Sequence, residues 1–337
     1  MKNINIITIA KEAGVSTATV SRALSGSTSI KESTRKKIIN VAEKFEYRPS
    51  HFARSLSTKR TDTIGLILPE LDGDFFMSVI HNIDDEVHKA NKYLMVSSTY
   101  NQRNEIETVK EFIASSRVDG VIVMAPTINK KIEFILKNNQ IPIIYLNASK
   151  KIINIVNFTV DNFSGAKSVV EHLIMHGYRK IAMVKGPDAN NEAIERFKGY
   201  QNILEENEIE YSDDFTFNGN FSMNAGFLAL EKFFSKKNKP EAIFAANDMM
   251  AVGVYQAAKK LNIKIPEDIA VVGFDNIFLS QIVSPKLTTV KVPIGLLANN
   301  AVQYLLKMIH NEVDLNLPLT HNLGTSLIIG ESCGCKI

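Results

Sequence analysis

Ile9, Val15, Val20 and Leu24 form an apolar seam at helical spacing, and the pattern from Ile6 to Ser25 predicts two short helices around Gly14. Asn5 and Ser16 stand where the two helices need N-caps. Ala10 lets the crossing helices approach closely, and Gly14 supplies the tight turn. Residues 32–46 predict a third helix whose Ile38, Val41, Ala42 and Phe45 cover the pair, and Tyr47-Arg48-Pro49 stops it. From Thr63 onward the pattern changes. Short apolar runs at Thr63–Leu68, Tyr93–Ser98, Gly120–Ala125 and Pro142–Leu146 alternate with amphipathic stretches, which is the rhythm of a parallel α/β sheet. The rhythm repeats at Ile155–Val160, Lys180–Lys185, Ala242–Ala246 and Ile269–Phe274, so the expectation is two α/β halves of ~100 residues each with a cleft between them.

Composition sharpens the division. At 337 residues with 45% hydrophobic positions, the chain can build a small module plus a larger body, here read as residues 1–60 and 61–337. The net charge of +3 hides an asymmetry: residues 1–60 carry 12 Lys and Arg against 4 Asp and Glu, and the excess reverses sign in the remainder. A basic block of that size points to phosphate neutralisation. The two cysteines, Cys333 and Cys335, sit one residue apart at the C-terminus, so neither a disulfide framework nor a four-ligand zinc site is expected, and a reducing, cytoplasmic setting fits. No run approaches the ~18 apolar residues of a membrane span.

On the second helix, Thr17 with Ser21 and Ala18 with Arg22 are i, i+4 pairs on the face opposite the apolar seam, small and polar enough to enter a major groove. The ordered set Thr8-Ile9-Ala10, Ala13-Gly14-Val15-Ser16, Ala18-Thr19-Val20-Ser21-Arg22-Ala23-Leu24, Tyr47-Arg48-Pro49 and Ala53-Arg54-Ser55-Leu56 closely resembles the DNA-binding headpiece of the lactose/galactose repressor family. The resemblance implies that Thr17, Ala18 and Arg22 read bases and that Thr8, Ser16, Thr19 and Ser21 contact phosphates. It also implies a hinge helix at residues 50–57, with Ala53 and Leu56 on the DNA and Leu56 wedged into the minor groove. Ser50 stands where relatives usually carry Asn; it remains a good N-cap.

The rest of the chain, to Glu331-Ser332-Cys333-Gly334-Cys335, resembles the periplasmic-binding-protein-like effector domain of the same family. That implies a chain passing between lobes more than once, with residues near 291–324 returning to the first lobe and the last residues to the second. In open parallel sheets ligands sit at the carboxyl ends of strands. Asp161-Asn162, Asn247-Asp248 and Asp275-Asn276 occupy such places, and Arg196 lies on a helix. By resemblance Phe75, Phe76, Arg196, Phe221, Asn247 and Asp275 line the ligand cleft. The chemistry agrees: a carboxylate accepts from vicinal hydroxyls, a guanidinium donates in parallel, and phenylalanine rings cover the C–H face of a sugar. Asp161 and Asp275 have a plainer reading as helix caps, and the phenylalanines as core. Gly73-Asp74 departs from the Asn-Pro of many relatives, which leaves the ligand's identity open.

Two other functions compete with a DNA-binding regulator. An enzyme would show a constellation such as G-x-S-x-G or H-E-x-x-H, and neither occurs; Ser164-Gly165-Ala166-Lys167 matches S-x-x-K without its companion motifs and reads as a helix N-terminus. His172 and His176 form an i, i+4 pair with no third ligand nearby in sequence, so a solvated helix face is expected rather than a metal site. A free-standing sugar-binding protein would have no use for the basic headpiece. The reading is therefore a non-enzymatic, cytoplasmic homodimer without cofactor, binding pseudo-palindromic operator DNA under the control of a small polar, sugar-like effector. The sequence leaves open whether that effector induces or corepresses, and whether the regulator represses or activates.

Overall fold

The computed structural model describes residues 4–24, 29–47, 60–71, 73–99, 105–114, 117–124, 141–148, 156–313 and 319–335. The expected hinge helix at 50–57, with Ala53 and Leu56, lies outside the described residues. The headpiece forms as its pattern requires. Helix α1 (Ile6–Ala13) begins at Asn5, whose Oδ1 accepts from the backbone N–H groups of Ile7 and Thr8 at 3.1 Å, and it ends on Gly14 at φ 65°. Helix α2 (Thr17–Leu24) follows Ser16, whose Oγ accepts from the Thr19 N–H at 3.1 Å. Helix α3 (Glu32–Lys44) stops slightly earlier than its apolar pattern, where Glu46 turns to φ 50°. Ile9, Ala10, Ala13, Val20, Ala23, Ile38 and Ala42 are buried together, so the three helices share one small core.

Among the described residues the body holds two six-stranded sheets. The first runs in the order β11 (Leu319–Leu323), β5 (Val156–Val160), β4 (Ile143–Leu146), β3 (Gly120–Met124), β1 (Thr63–Leu68), β2 (Tyr93–Ser98), all parallel. Its central strands are buried along nearly their whole length, as strands covered on both faces must be. Helix α4 (Asp74–Lys89) contributes Val79, Ile83 and Val87 to one core, which also takes Leu297, Ala301 and Leu305 of a late helix, α11 (Ile294–Ile309). Phe112 of α5 (Glu105–Ala114) packs with Val121, Val123 and Tyr145 in a separate cluster.

The second sheet runs β12 (Ser326–Ile328), β10 (Thr288–Lys291), β9 (Ala270–Asp275), β8 (Ala242–Ala245), β6 (Ile181–Lys185), β7 (Thr216–Asn218), with only β10 and β12 antiparallel. Helices α6 (Asn162–Met175), α7 (Asn191–Glu206), α8 (Met223–Phe234), α9 (Asp248–Lys260) and the short α10 (Phe278–Ile282) belong to this lobe. The chain therefore returns to the first lobe with α11 and β11 and ends in the second, as expected. One expectation is corrected. The run Ile155–Val160 was read as opening the second half, whereas β5 pairs with β4 and β11 inside the first sheet. Apolar alternation reports that a strand exists; it carries no information about which sheet supplies its hydrogen-bond partners.

Helices α8 and α9 approach through two glycines: a Cβ on Gly226 would stand 1.8 Å from the Met250 carbonyl oxygen, and one on Gly253 equally close to that of Met223. Backbone cannot retreat as a side-chain tip can, so the helices would have to separate and open the core around Ala251 and Leu230. Gly226→Ala is expected to lower unfolding stability by at least ~1–3 kcal/mol despite alanine's better helix propensity. Urea unfolding followed by circular dichroism measures it, and an unchanged or raised midpoint would show that the crossing is looser than this.

Candidate functional site

Residues from both lobes enclose a cavity of about 690 Å³ at the carboxyl ends of the strands. Phe75, Phe76, Arg196, Phe221, Asn247 and Asp275 all line it, so the structure gathers the six residues that sequence reasoning named. Phe75 and Phe76, in the first turn of α4, meet edge to face with ring centres 5.5 Å apart. Phe75 packs against the cores of both lobes, and Phe76 against that of the first.

Arg196, on α7, is 5% exposed, and each of its three guanidinium nitrogens has a polar neighbour. Nε donates to Asn162 Oδ1 at 2.8 Å, Nη1 donates to the Ala246 carbonyl at 2.5 Å, and Nη2 lies 3.2 Å from Asp275 Oδ1. The guanidinium carbon sits 3.7 Å from the centre of the Phe274 ring. A buried charge needs such compensation. The ion pair with Asp275 is close without being aligned as a hydrogen bond, so Asp275 Oδ1 keeps unused acceptor capacity.

Asp275 ends β9 at φ 111°, and Phe221, just before α8, lies at φ 64°. Such conformations persist only where the surroundings hold them, and they concentrate at functional sites. The loop after Asp275 is held by Asp248, whose carboxylate accepts from the Ile277 N–H at 2.9 Å and the Thr289 hydroxyl at 2.6 Å. Phe221 is held by Asn247, whose Nδ2 donates to the Phe221 carbonyl at 3.1 Å while Oδ1 caps α9 through the Met250 N–H. Asn247 thus lines the cavity with much of its polar capacity already engaged. Asp161 takes the plainer of its two readings: it caps α6 through the Ser164 N–H and does not line the cavity. Lys167 of the S-x-x-K match pairs with Glu206 at 2.6 Å on the surface.

The structure adds residues that sequence reasoning left out of its site. Among the described residues, Asp74 Oδ2 and Glu192 Oε2, buried atoms of two residues that line the cavity, have no hydrogen-bond partner, and neither does Asp275 Oδ1. Asn162 carries the Arg196 contact. Asp74 stood at a departure from the family pattern, which was the available signal for it. The cavity therefore presents Glu70, Asp74, Glu192 and Asp275 against Arg196, a net negative lining. Burial raises the Asp275 carboxyl to about 6 in spite of Arg196, with Glu192 adding to the rise, and Asp248 is pushed well above the ordinary carboxylate range by burial and then by Asp275.

In the headpiece, Ser16, Thr17, Ala18 and Arg22 are exposed and Thr8, Thr19 and Ser21 partly so, leaving the outer face of α2 open to a partner. Arg22 Nε folds back onto the Ala18 carbonyl at 3.3 Å, and the Ser16 and Thr19 hydroxyls lie 2.8 Å apart. One expectation fails outright. His172 and His176 are not alone on their helix face, because the C-terminal tail brings Cys333 and Cys335 against them. Residues 161 positions apart meet there, which no sequence spacing announces.

Comparison with known proteins agrees with both parts. A model of the bacterial regulatory proteins of the lacI family matches residues 5–50, and one of a periplasmic binding protein-like domain matches residues 170–333. Catabolite control protein A of Priestia megaterium is 33% identical over 92% of this chain and 94% of its own length. The probable HTH-type transcriptional repressor ExuR of Bacillus subtilis is 33% identical over 91% of this chain and 92% of its own. A crystal structure of the lac repressor dimer bound to operator and an anti-inducer superposes with a TM-score of 0.87 at 26% identity, covering 98% of this chain and 99% of that one.

The raised carboxyl of Asp275 makes a linkage prediction. The folded chain binds this proton more tightly than the unfolded chain, so the group's contribution to stability is full below pH ~4 and is lost as pH rises through about 6. Relative to the parent, Asp275→Asn should therefore gain on the order of 3 kcal/mol between pH ~4 and pH ~7, whatever its constant offset, and relief of Asp248 acts in the same direction. Unfolding free energies of both proteins across that range test it; a pH-independent difference would mean that Asp275 titrates normally.

Proposed function

Because the chain belongs to the lacI family of bacterial regulatory proteins, we propose that it is a cytoplasmic, non-enzymatic homodimeric regulator in which α2 reads operator DNA and the cavity between the lobes senses a neutral or cationic polyhydroxyl ligand. The observation that carries the ligand class is the set of three carboxylates, Asp74, Glu192 and Asp275, that line one cavity, each with a buried oxygen that accepts no hydrogen bond among the described residues. Carboxylates accept and never donate when ionised, so they suit hydroxyl or ammonium donors and repel phosphate and carboxylate groups. Phe75, Phe76 and Phe221 supply apolar surface for the C–H face of a sugar ring. The structurally similar regulator CelR was solved as a complex with cellobiose, and the lac repressor was solved with operator DNA and the anti-inducer ONPF.

In this reading the domains divide at about residue 60, and ligand between the lobes shifts the spacing of the two segments that lead to the headpieces. Phe75, in contact with both lobe cores, is the side chain best placed to respond to closure. On the DNA side, Thr17, Ala18 and Arg22 meet base edges, Thr8, Ser16, Thr19 and Ser21 meet phosphates, and Ala53 and Leu56 act at the operator centre.

A thermal-shift screen of neutral sugars, amino sugars, sugar phosphates and uronic acids tests the ligand class: stabilisation should come from the first two sets and not from the anionic ones. A strong shift with a sugar phosphate alone would overturn it. With a hit in hand, Asp275→Asn should weaken or abolish the ligand's effect in a gel shift while ligand-free operator affinity stays within about twofold, since the headpiece has its own core. An unaltered response at the parent's ligand concentration would remove Asp275 from the site.

The headpiece makes its own prediction. Arg22 is long and exposed enough to form a bidentate pair with a guanine edge, worth ~1–3 kcal/mol of discrimination, so Arg22→Ala should flatten base preference at one position per half-site. Binding to randomised half-sites, read by sequencing, shows whether the loss is confined to one position. A uniform loss at all positions would instead make Arg22 a phosphate contact.

A further inference from the structure

Far from the cleft, at the other end of α6, four potential metal ligands converge. His172 lies in the last turn of the helix and His176 is its C-cap, so an i, i+4 relation sets both imidazoles on one face, with ring centres 4.7 Å apart. The tail that follows β12 arrives against that face. Cys333 Sγ lies 3.2 Å from His172 Nε2, and Cys335 Sγ lies 3.1 Å from His176 Nε2 and 3.6 Å from His172 Nε2. All four ligand atoms fall within 4.8 Å of one another, and both thiols are free. A tetrahedral centre with metal–sulfur bonds of ~2.3 Å and metal–nitrogen bonds of ~2.05 Å has N···S edges of ~3.5 Å, so small movements would complete the polyhedron.

We propose that His172, His176, Cys333 and Cys335 form a closed, structural site for a thiophilic divalent cation of the zinc class, which ties the C-terminal tail to the end of α6. The donor set, two thiolates and two neutral imidazoles, is that of structural zinc, and it leaves no position for a reacting water. Loading releases the two thiol protons to solvent and involves no change of oxidation state.

The surroundings are built to hold the sulfurs in place. Gly334 between the two cysteines adopts φ 93°, which turns the chain so that both side chains reach the same point. The Thr288 hydroxyl donates to Cys333 Sγ at 3.0 Å, a contact that favours the thiolate, and itself accepts from the Gly330 N–H at 2.9 Å. Ser332 fixes the tail to the sheet by donating to the Val271 carbonyl at 2.6 Å and accepting from the Thr288 N–H at 2.8 Å. Tyr178 lies over His176 and donates to the Cys333 carbonyl at 3.3 Å. Cys333 is fully buried while His176 is exposed, which leaves a path for the ion to enter.

The site is independent of the ligand cleft and of the DNA face. Its test uses the full chain, purified without a metal-affinity step and kept reduced with a phosphine, titrated with cobalt(II) alone. One equivalent per chain should bind with the visible d–d absorption of tetrahedral thiolate-ligated cobalt, and one equivalent of zinc(II) should bleach it. Cys335→Ser and His176→Gln change the exposed corner and should leave the metal-free circular dichroism and melting temperature unaltered. Each should weaken binding beyond the ~10–100-fold that loss of an outer partner costs. Saturable one-to-one binding in the parent, lost in both variants, supports the site. A reduced parent with no tetrahedral cobalt spectrum, or variants that bind as the parent does, would overturn it; so would a parent that binds no cobalt and instead closes a Cys333–Cys335 disulfide on mild oxidation.

Discussion

The arrangement of the cleft depends on how one buried cation is compensated. Arg196 is held at once by Asn162 at the start of α6, by the Ala246 carbonyl after β8, and by Asp275 at the end of β9, with the Phe274 ring beneath it. Removing a guanidinium from water is costly, and the cost is met only if each of these partners keeps its position. The ends of two strands and the start of a helix are thereby referred to a single group. The strained backbone of Asp275 and Asn276 is tolerated for the same reason, since Asp248 and Arg196 hold the loop from two sides.

That compensation is incomplete, and the incompleteness is chemically informative. Asp275 satisfies Arg196 electrostatically while keeping an oxygen free of a hydrogen bond, and Asp74 and Glu192 add two more unsatisfied acceptors on the same wall. Native interiors rarely leave such atoms unpaired. Three such carboxylates line one cavity, and burial raises the Asp275 carboxyl in spite of Arg196. The first lobe supplies Asp74 and the second supplies Glu192 and Asp275, so both lobes contribute acceptors to the wall of the cavity.

The tail serves the same lobe from the opposite end. Helix α6 offers Asn162 to the cleft at its first residue and His172 and His176 to the cysteines at its last turn, so both ends of one rigid element are tied down. The headpiece, in contrast, has among the described residues a core of its own, drawn from Ile6 to Tyr47, and the outer face of α2 is exposed.

Local chemistry made much of this legible in the sequence. Caps at Asn5 and Ser16, the turn at Gly14 and the apolar runs from Thr63 to Phe274 depend on residues close in the chain, and the structure follows them to within a few positions. The six cleft residues were legible through family resemblance and through their place after strands, because the carboxyl ends of parallel strands converge whatever the loops contain. What tertiary structure decided was every meeting of distant segments. It assigned β5 to the first sheet, turned Asn247 partly into a scaffold for Phe221, and left one oxygen each of Asp74 and Glu192 without a hydrogen bond among the described residues. It also carried Cys333 and Cys335 to His172 and His176, overturning the expectation of an isolated histidine pair. Periodicity reports which side of an element is apolar; which other element covers that side is set by packing and hydrogen-bond pairing across the whole chain.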